Sequence, residues 1–540
     1  MTEKQHRHTL TIGEWNHSLL GDFLWTNSNF CEAICDVMTP ATWSMWEIYL
    51  EAIPFSIPGY PLVGVIGGRP YINLSLLVSI GRAFGMDTKN MLLRLEDLWG
   101  RVPEGVDIPL LPLTKWQLLR VMLPIHFKMR KALRVSKEEI YSFTATCHNW
   151  CNEILGRIQH ENTPAELINL WCADIRPYFG NAWRIVRAAL ESDNVGRLRR
   201  ELIDLVGIVD TNALLSNLSG SGQLASLGPL VGISQVASGE MSREVYLGRY
   251  GHRGPHEMEL SLPRPAEDPE WLEQQVARLV KLPVDVDMLL EKQRVEFMDA
   301  RKRLVQRYPR QAKSIQLQIE HVATSSRLRE EARSEATRII WVLREFALRA
   351  GELTGLENKQ DVFFLSLDEM SEVLFGDKTV LAVIPARKEI YVRHSGLPTY
   401  PAIIIGHFDP FQWAVNPNRR SDLIDARTSA VPSPTAITGF AGATGVIEGL
   451  VRRLERVEDG DQLQPGEILV TATTNVGWTP LFLHAAAVVT DVGAPLSHAA
   501  IVARELGIPA VVGCGNATMR LHTGDRVRVN GGQGVVEILK

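Results

Sequence analysis

The periodicity of this chain changes once, near residue 432, and that change sets what it can fold into. Before it, apolar residues recur mostly every three and four positions. WQLLRVMLPIHFKMRKALRV (116–135) and AELINLWCADIRPYFGNAWRIVRAAL (165–190) show the pattern, which is that of helices with one buried face. After it come GVIEGLVRRL, EILVTAT, AAAVVTDV, IPAVVG, DRVRVN and GVVEIL, short segments rich in valine and isoleucine between glycine turns. Such segments read as strands. With helical stretches near 479–487 and 498–506 they predict a small α/β domain over 439–540. Between the two textures lies DARTSAVPSPTAIT (425–438), whose prolines and small residues make a linker. A chain of 540 residues also exceeds what one core supports. The predicted fold is therefore α+β and multidomain: a large, mostly helical domain over 1–430, a hinge at 431–438 and the small domain at 439–540.

Within the large region, residues 1–60 are mixed, and 61–80 suit a strand or hairpin around Gly67-Gly68. Long helices are expected over 85–215 and 269–351, loops and short helices over 210–265, and a strand or turn leading into a helix at DVFFLSLDEM (361–370). The net charge of −5 lacks the basic surplus of a nucleic-acid binder. The polar start MTEKQHRHTLTIGEW has no apolar signal region, and no apolar run reaches membrane-spanning length. A cytoplasmic protein that binds neither nucleic acid nor membrane is the expectation. The six cysteines make no disulfide framework, and Cys147-His148-x-x-Cys151 has no second ligand pair at zinc spacing. Neither these nor the Cys31/Cys35 pair is expected to hold metal.

GAPLSHAAIVARELGIPAVVG (493–513) concentrates the chemistry. Ser497 is a good N-cap for the following helix, so the first-turn amides, Ala499 among them, lack helical partners. Free N–H groups and the helix dipole attract an anion there. An imidazole at His498 is then a nucleophile beside a seat for phosphoryl oxygens.

At these residues, and on through TGDRVRVNGGQGVVEIL (523–539) and back through GWTPLFLHAAAVVTD (477–491), the chain resembles the phosphohistidine swivelling domain of the PEP-utilising enzymes. Ala494-Pro495 departs from the family's usual pattern without touching the histidine. TNSNFCEAICDVMTPATWS (26–44), NALLSNLSG (212–220), RYGHRGPHEMELSLPRPAEDPEWL (249–272) and DVFFLSLDEM are similar to the substrate-binding region of rifampicin-phosphotransferase-like proteins. The resemblance implies a phosphotransferase that carries phosphate on His498. It supplies no ATP-grasp segment in this sequence, so a separate ATP-grasp subunit with Mg²⁺ on its nucleotide is expected to load it. The split phenylphosphate-synthase type and its p-cresol relative are built that way, which implies a phenolic or alcoholic acceptor. Ligase-like condensation, an antibiotic-like alcohol as acceptor, and a regulatory phosphocarrier are the alternatives.

The acceptor side offers several candidates. Arg329 and Arg333 lie one helical turn apart and suit a two-guanidinium clamp on a phosphoryl group; the similar motif in rifampicin phosphotransferases carries Arg and Lys. Arg329 has no acid three or four positions away, whereas Arg333 can pair with Glu330. A solvated charged face is the alternative. In YGHRGPHE (250–257), His252 or Glu257 could act as general base and Arg253 as phosphate ligand, or the segment could be a turn held by an Arg–Glu pair. Glu32 matches a polar position of the family's acceptor site and is a substrate-binding candidate. His484 reads as structural. Trp15, Phe23, Trp25, Phe30, Trp43, Trp46 and Tyr49 suit either a phenol pocket or a core.

Overall fold

The structure is a computed structural model that describes residues 15–28, 30–34, 36–51, 57, 59–103, 105–132, 134–191, 195–216, 225–417, 419–427, 436–495 and 497–539. The polar stretch at 1–14, Cys35, 217–220 of NALLSNLSG and 431–435 of the expected hinge lie outside the described residues.

Helices dominate the first part. A short helix α1 (Phe30–Ala33) precedes α2 (Lys137–His160), α3 (Arg176–Glu191), α4 (Arg243–Tyr250), α5 (Val286–Arg307) and the 43-residue α6 (Ala312–Thr354). On α2 the buried residues are Ile140, Phe143, Cys147, Cys151, Ile154 and Ile158, which is the helical spacing of the sequence turned inward. Cys147 and Cys151 therefore line a core face, with their sulfurs 3.9 Å apart. On α6, Leu328, Ala332, Ala336, Ile339, Ile340, Leu343, Phe346, Ala347 and Ala350 are buried in that same core. Its alanines leave room for neighbours, and Trp171 stacks on Phe346 at 4.7 Å. Of the N-terminal aromatics, Trp15, Phe23, Trp25 and Trp46 are buried, and Trp46 packs against Phe30, Tyr49 and Trp183.

A five-stranded sheet ties the two ends of this region together. It contains β1 (Leu24–Thr26), β2 (Val63–Ile66), β3 (Arg69–Asn73), β4 (Ile403–Ile405) and β5 (Leu423–Asp425), in the order β2-β3-β1-β4-β5. β2 and β3 form the expected hairpin. Gly67 and Gly68 turn it at φ 54° and 78°, a region that glycine enters without strain. DVFFLSLDEM holds no strand; a 3-10 turn (Lys359–Phe364) leads into the helix Leu367–Leu374.

The last part is an eight-stranded sheet of β6 (Ile437–Thr438), β7 (Phe440–Ala443), β8 (Val446–Arg453), β9 (Ile468–Thr471), β10 (Ala487–Thr490), β11 (Ala510–Val512), β12 (Arg526–Asn530) and β13 (Val535–Ile538), ordered β6-β13-β12-β8-β9-β10-β11-β7. The last two residues of the expected hinge thus belong to β6. β8, β9, β10 and β11 run parallel to one another, while β8 pairs antiparallel with β12 and β11 with β7. Every residue of β9, β10 and β11 is buried, as in a sheet covered on both faces. Two helices cross over between these strands: α7 (Thr479–Phe482), from β9 to β10, and α8 (His498–Leu506), from β10 to β11. The stretch predicted helical to 487 therefore ends at 482 and turns into β10. The fold is α+β and multidomain. Among the described residues no helix is long and apolar enough to cross a membrane.

Candidate active site around His498

α8 begins beyond the carboxyl end of β10, where parallel sheets leave a crevice for ligands. Gly493, at φ 146°, brings the chain around. Ser497 caps the helix, its hydroxyl accepting from the Ala500 amide at 3.4 Å. Gly507 ends it in the left-handed conformation, pressed against Gln293 of α5. Ala499, Ala500, Val502, Ala503 and Leu506 anchor the helix in the core, so His498 stands on a rigid seat.

The His498 backbone N–H donates to Glu32 Oε2 at 2.9 Å. Its ring Nε2 lies 3.2 Å from the Thr479 hydroxyl at the start of α7. Burial first, then the charge of Arg333, pushes the ring pKa down to about 3, against the opposing pull of Glu330 and the Asn475 carbonyl. The imidazole is therefore neutral across the physiological range, the form in which a ring nitrogen keeps its lone pair.

α6 and the YGHRGPHE turn supply charge to this place. The Arg329–Arg333 face is not solvated. The side chains of Arg329 and Glu330 are 13% and 11% exposed and lie 3.4 Å apart. Arg329 thus has the adjacent acid as its partner, a pairing that helical spacing does not suggest. Burial works against ionisation of Glu330, but Arg329, Arg333 and Arg253 overcome it and hold its pKa below the usual range. In the turn, Arg253 Nε donates to Glu257 Oε2 at 2.7 Å with both side chains buried. Arg253 Nη1 is buried without a hydrogen-bond partner. His252 is buried, its Nε2 3.2 Å from the Ser334 hydroxyl of α6. Burial, then Arg338 and Arg253, lower its pKa well below the ordinary value. Three guanidiniums therefore gather near His498 against the carboxylates of Glu257 and Glu330.

The turn also touches the C-terminal sheet domain directly. Asn475 Nδ2 donates to the Pro255 carbonyl at 2.6 Å. Gly477 lies so close that a Cβ there would stand 2.5 Å from Pro255 Cβ. His256 bridges Asp36 at 2.9 Å and Glu458 at 3.2 Å. Burial alone would lower its pKa, but the two carboxylates raise it to about 10, so the ring is charged at neutral pH.

The structure thus brings His498, Ser497, Ala499, Glu32, Arg253, Arg329 and Arg333 to one place, with Glu257 and His252 directly behind Arg253. Sequence reasoning missed Thr479, Asn475, Glu330 as a shared counter-ion and His256 as a bridge. Thr479 stands inside the GWTPLF string and His256 inside GHRGPHE, so both strings held a signal without a role. His484 lies apart; burial, then nearby Arg278, lowers its pKa. Among the described residues no cluster of three or more His, Cys, Asp or Glu could hold a metal ion.

Residues 463–534 match the family model of the PEP-utilising enzyme mobile domain. Residues 199–330 match that of the rifampicin phosphotransferase fourth domain. A protein of Mycobacterium tuberculosis without a described function is 33% identical over 294 residues, 54% of this chain and 30% of its own length. The rifampicin phosphotransferase of Bacillus subtilis is 29% identical over 306 residues, 54% of this chain and 34% of its own. The prodigiosin synthesizing transferase PigC of Serratia marcescens is 30% identical over 304 residues, 54% of this chain and 33% of its own. The chain spans about a third of the length of these relatives.

Proposed function

We propose that this chain, which carries a PEP-utilising mobile domain and a rifampicin phosphotransferase fourth domain, is a phosphotransferase that takes a phosphoryl group on His498 and passes it to the hydroxyl of a small organic acceptor. The observation that carries the reading is a neutral imidazole at a helix N-terminus beside the buried Arg253 and the partly buried Arg333. Phosphoryl transfer needs in-line placement and charge neutralisation more than covalent help. Arg253, Arg329 and Arg333 supply the positive charge in a site shielded from water, where it acts strongly. As the phosphorus–nitrogen bond breaks, the ring keeps the electron pair and takes up the proton of the acceptor hydroxyl, whose oxygen takes the phosphorus. His252 and Glu257 were candidates for the base. With Ser334 and Arg253 as their partners, they serve in this reading to hold Arg253 in place.

A separate ATP-grasp subunit is the proposed donor, in the cytoplasm. Around His498 the carboxylates of Glu32, Glu257 and Glu330 each have an arginine beside them, a poor donor set for Mg²⁺. The metal is therefore assigned to the nucleotide on the partner. A phenol is the proposed acceptor. The relatives named rifampicin phosphotransferase favour the second reading, an antibiotic-like alcohol as acceptor.

The test mixes the chain with ATP-grasp proteins, labelled ATP and a panel of phenols and alcohols. Label on wild type and none on His498→Ala is the expected outcome, with an aryl phosphate released. Label from ATP on the chain alone overturns the split arrangement. A phosphorylated aliphatic alcohol selects the second reading.

A further inference from the structure

Glu32 occupies the ground that a phosphoryl group on His498 needs. It belongs to α1, 466 residues earlier in the chain, yet its Oε2 accepts the first amide of α8 at 2.9 Å. Ser497 and Ala499 also favour its charged form, and Arg333 faces it. The side chain is 7% exposed, and Oε1 is buried with no hydrogen-bond partner. A carboxylate and a phosphoryl group are both oxyanions that seek the same amides. Placed side by side in a low-dielectric site they repel strongly.

We propose that Glu32 is a place-holder for the phosphoryl group: its carboxylate sits on the α8 amides when His498 is discharged and is displaced from them when phosphohistidine arrives. The proposal rests on the phosphohistidine reading given above. It makes Glu32 a positioning residue. The discharged carrier is held against α1 by this bond, and the charged carrier takes the same seat only by expelling the carboxylate.

The seat then responds to pH. Burial raises Glu32 to about 7. The groups that face it are Arg333, with Glu330 beside it on α6, the His498 ring, and Cys31 on its own helix with Arg69 of β3 beyond. Glu330 is held ionised, His498 neutral and Cys31 a thiol near pH 7, so Glu32 is the group that changes charge there. Below about pH 7 its carboxyl is neutral and an incoming dianion meets no like charge; above it the dianion must displace a carboxylate.

Sulfate, a dianion across this range, is the probe, titrated calorimetrically into the full chain. Wild type should bind it more weakly as pH rises above 7, with affinity approaching a tenfold loss per pH unit. In Glu32→Gln, binding should stay flat at the low-pH level of wild type. The same slope in Glu32→Gln overturns the proposal, and so does an absence of sulfate binding at every pH in both proteins. A matching thermal unfolding midpoint shows that the variant is folded. In parallel the chain is phosphorylated with potassium phosphoramidate. Failure to label His498 overturns the phosphohistidine reading and leaves the sulfate result to stand by itself.

Discussion

Arg253 and Glu257 are where stability and the proposed chemistry meet in one pair of residues. Their side chains are 2% and 7% exposed. Removing one partner of a buried pair leaves an uncompensated charge and costs about 3 kcal/mol or more. Glu257→Ala should lose that much in chemical denaturation. The double variant Arg253→Met/Glu257→Leu should recover much of the stability while transfer from His498 to the acceptor stays lost. Recovery of transfer with stability would remove Arg253 from the phosphate clamp. Residue type and spacing made His498, Ser497 and Arg253 readable. The partners of Arg329 were not readable, because a side chain five or six bonds long chooses among neighbours that only packing defines.

At the scale of elements, α8 is nine residues long and depends on its ends. Ser497→Ala removes the one side-chain cap and should cost about 1 kcal/mol, seen as a lowered unfolding midpoint. Labelling of His498 should slow and not vanish, because the amides and the ring remain. The sequence announced this helix and six strands of the last sheet, β8 to β13, since β-branched runs between glycine turns are local signals; it read β6 as hinge and did not show β7. It also announced the β2–β3 hairpin, whose turn is local as well. β1, β4 and β5 went unread. Each is three residues long, too short for a period to show, and β1 pairs with β4 across nearly the whole large region.

For the whole molecule, the contact between the YGHRGPHE turn and the last domain is a question of charge. His256, raised to about 10 by Asp36 and Glu458 after burial has worked against it, stabilises the contact fully below its ordinary value of 6.5 and loses that contribution as pH climbs toward 10. Glu458, lowered to about 2 chiefly by His256, contributes fully above 4.5 and fails as pH falls toward 2. The bridge is strongest between those ordinary values. Small-angle scattering should therefore show the chain expanding at alkaline pH. His256→Ala should be expanded already at neutral pH and change little with further alkali. An unchanged profile in the variant would assign the contact to Asn475 and Pro255 alone.

The sequence by itself determined most of the elements and singled out His498 as the candidate nucleophile. Helical periodicity, glycine-bounded strands, the Ser497 cap and the imidazole behind it all act within a few residues, so a linear string can state them. Tertiary structure alone decided what surrounds that imidazole. Glu32 arrives from 466 residues away, Arg333 and Glu330 from the long helix, and Arg253 from a turn. Burial among these charges then sets the protonation of His498. Desolvation and Coulomb interaction depend on distances in space, and a sequence carries no such distances until the chain has folded.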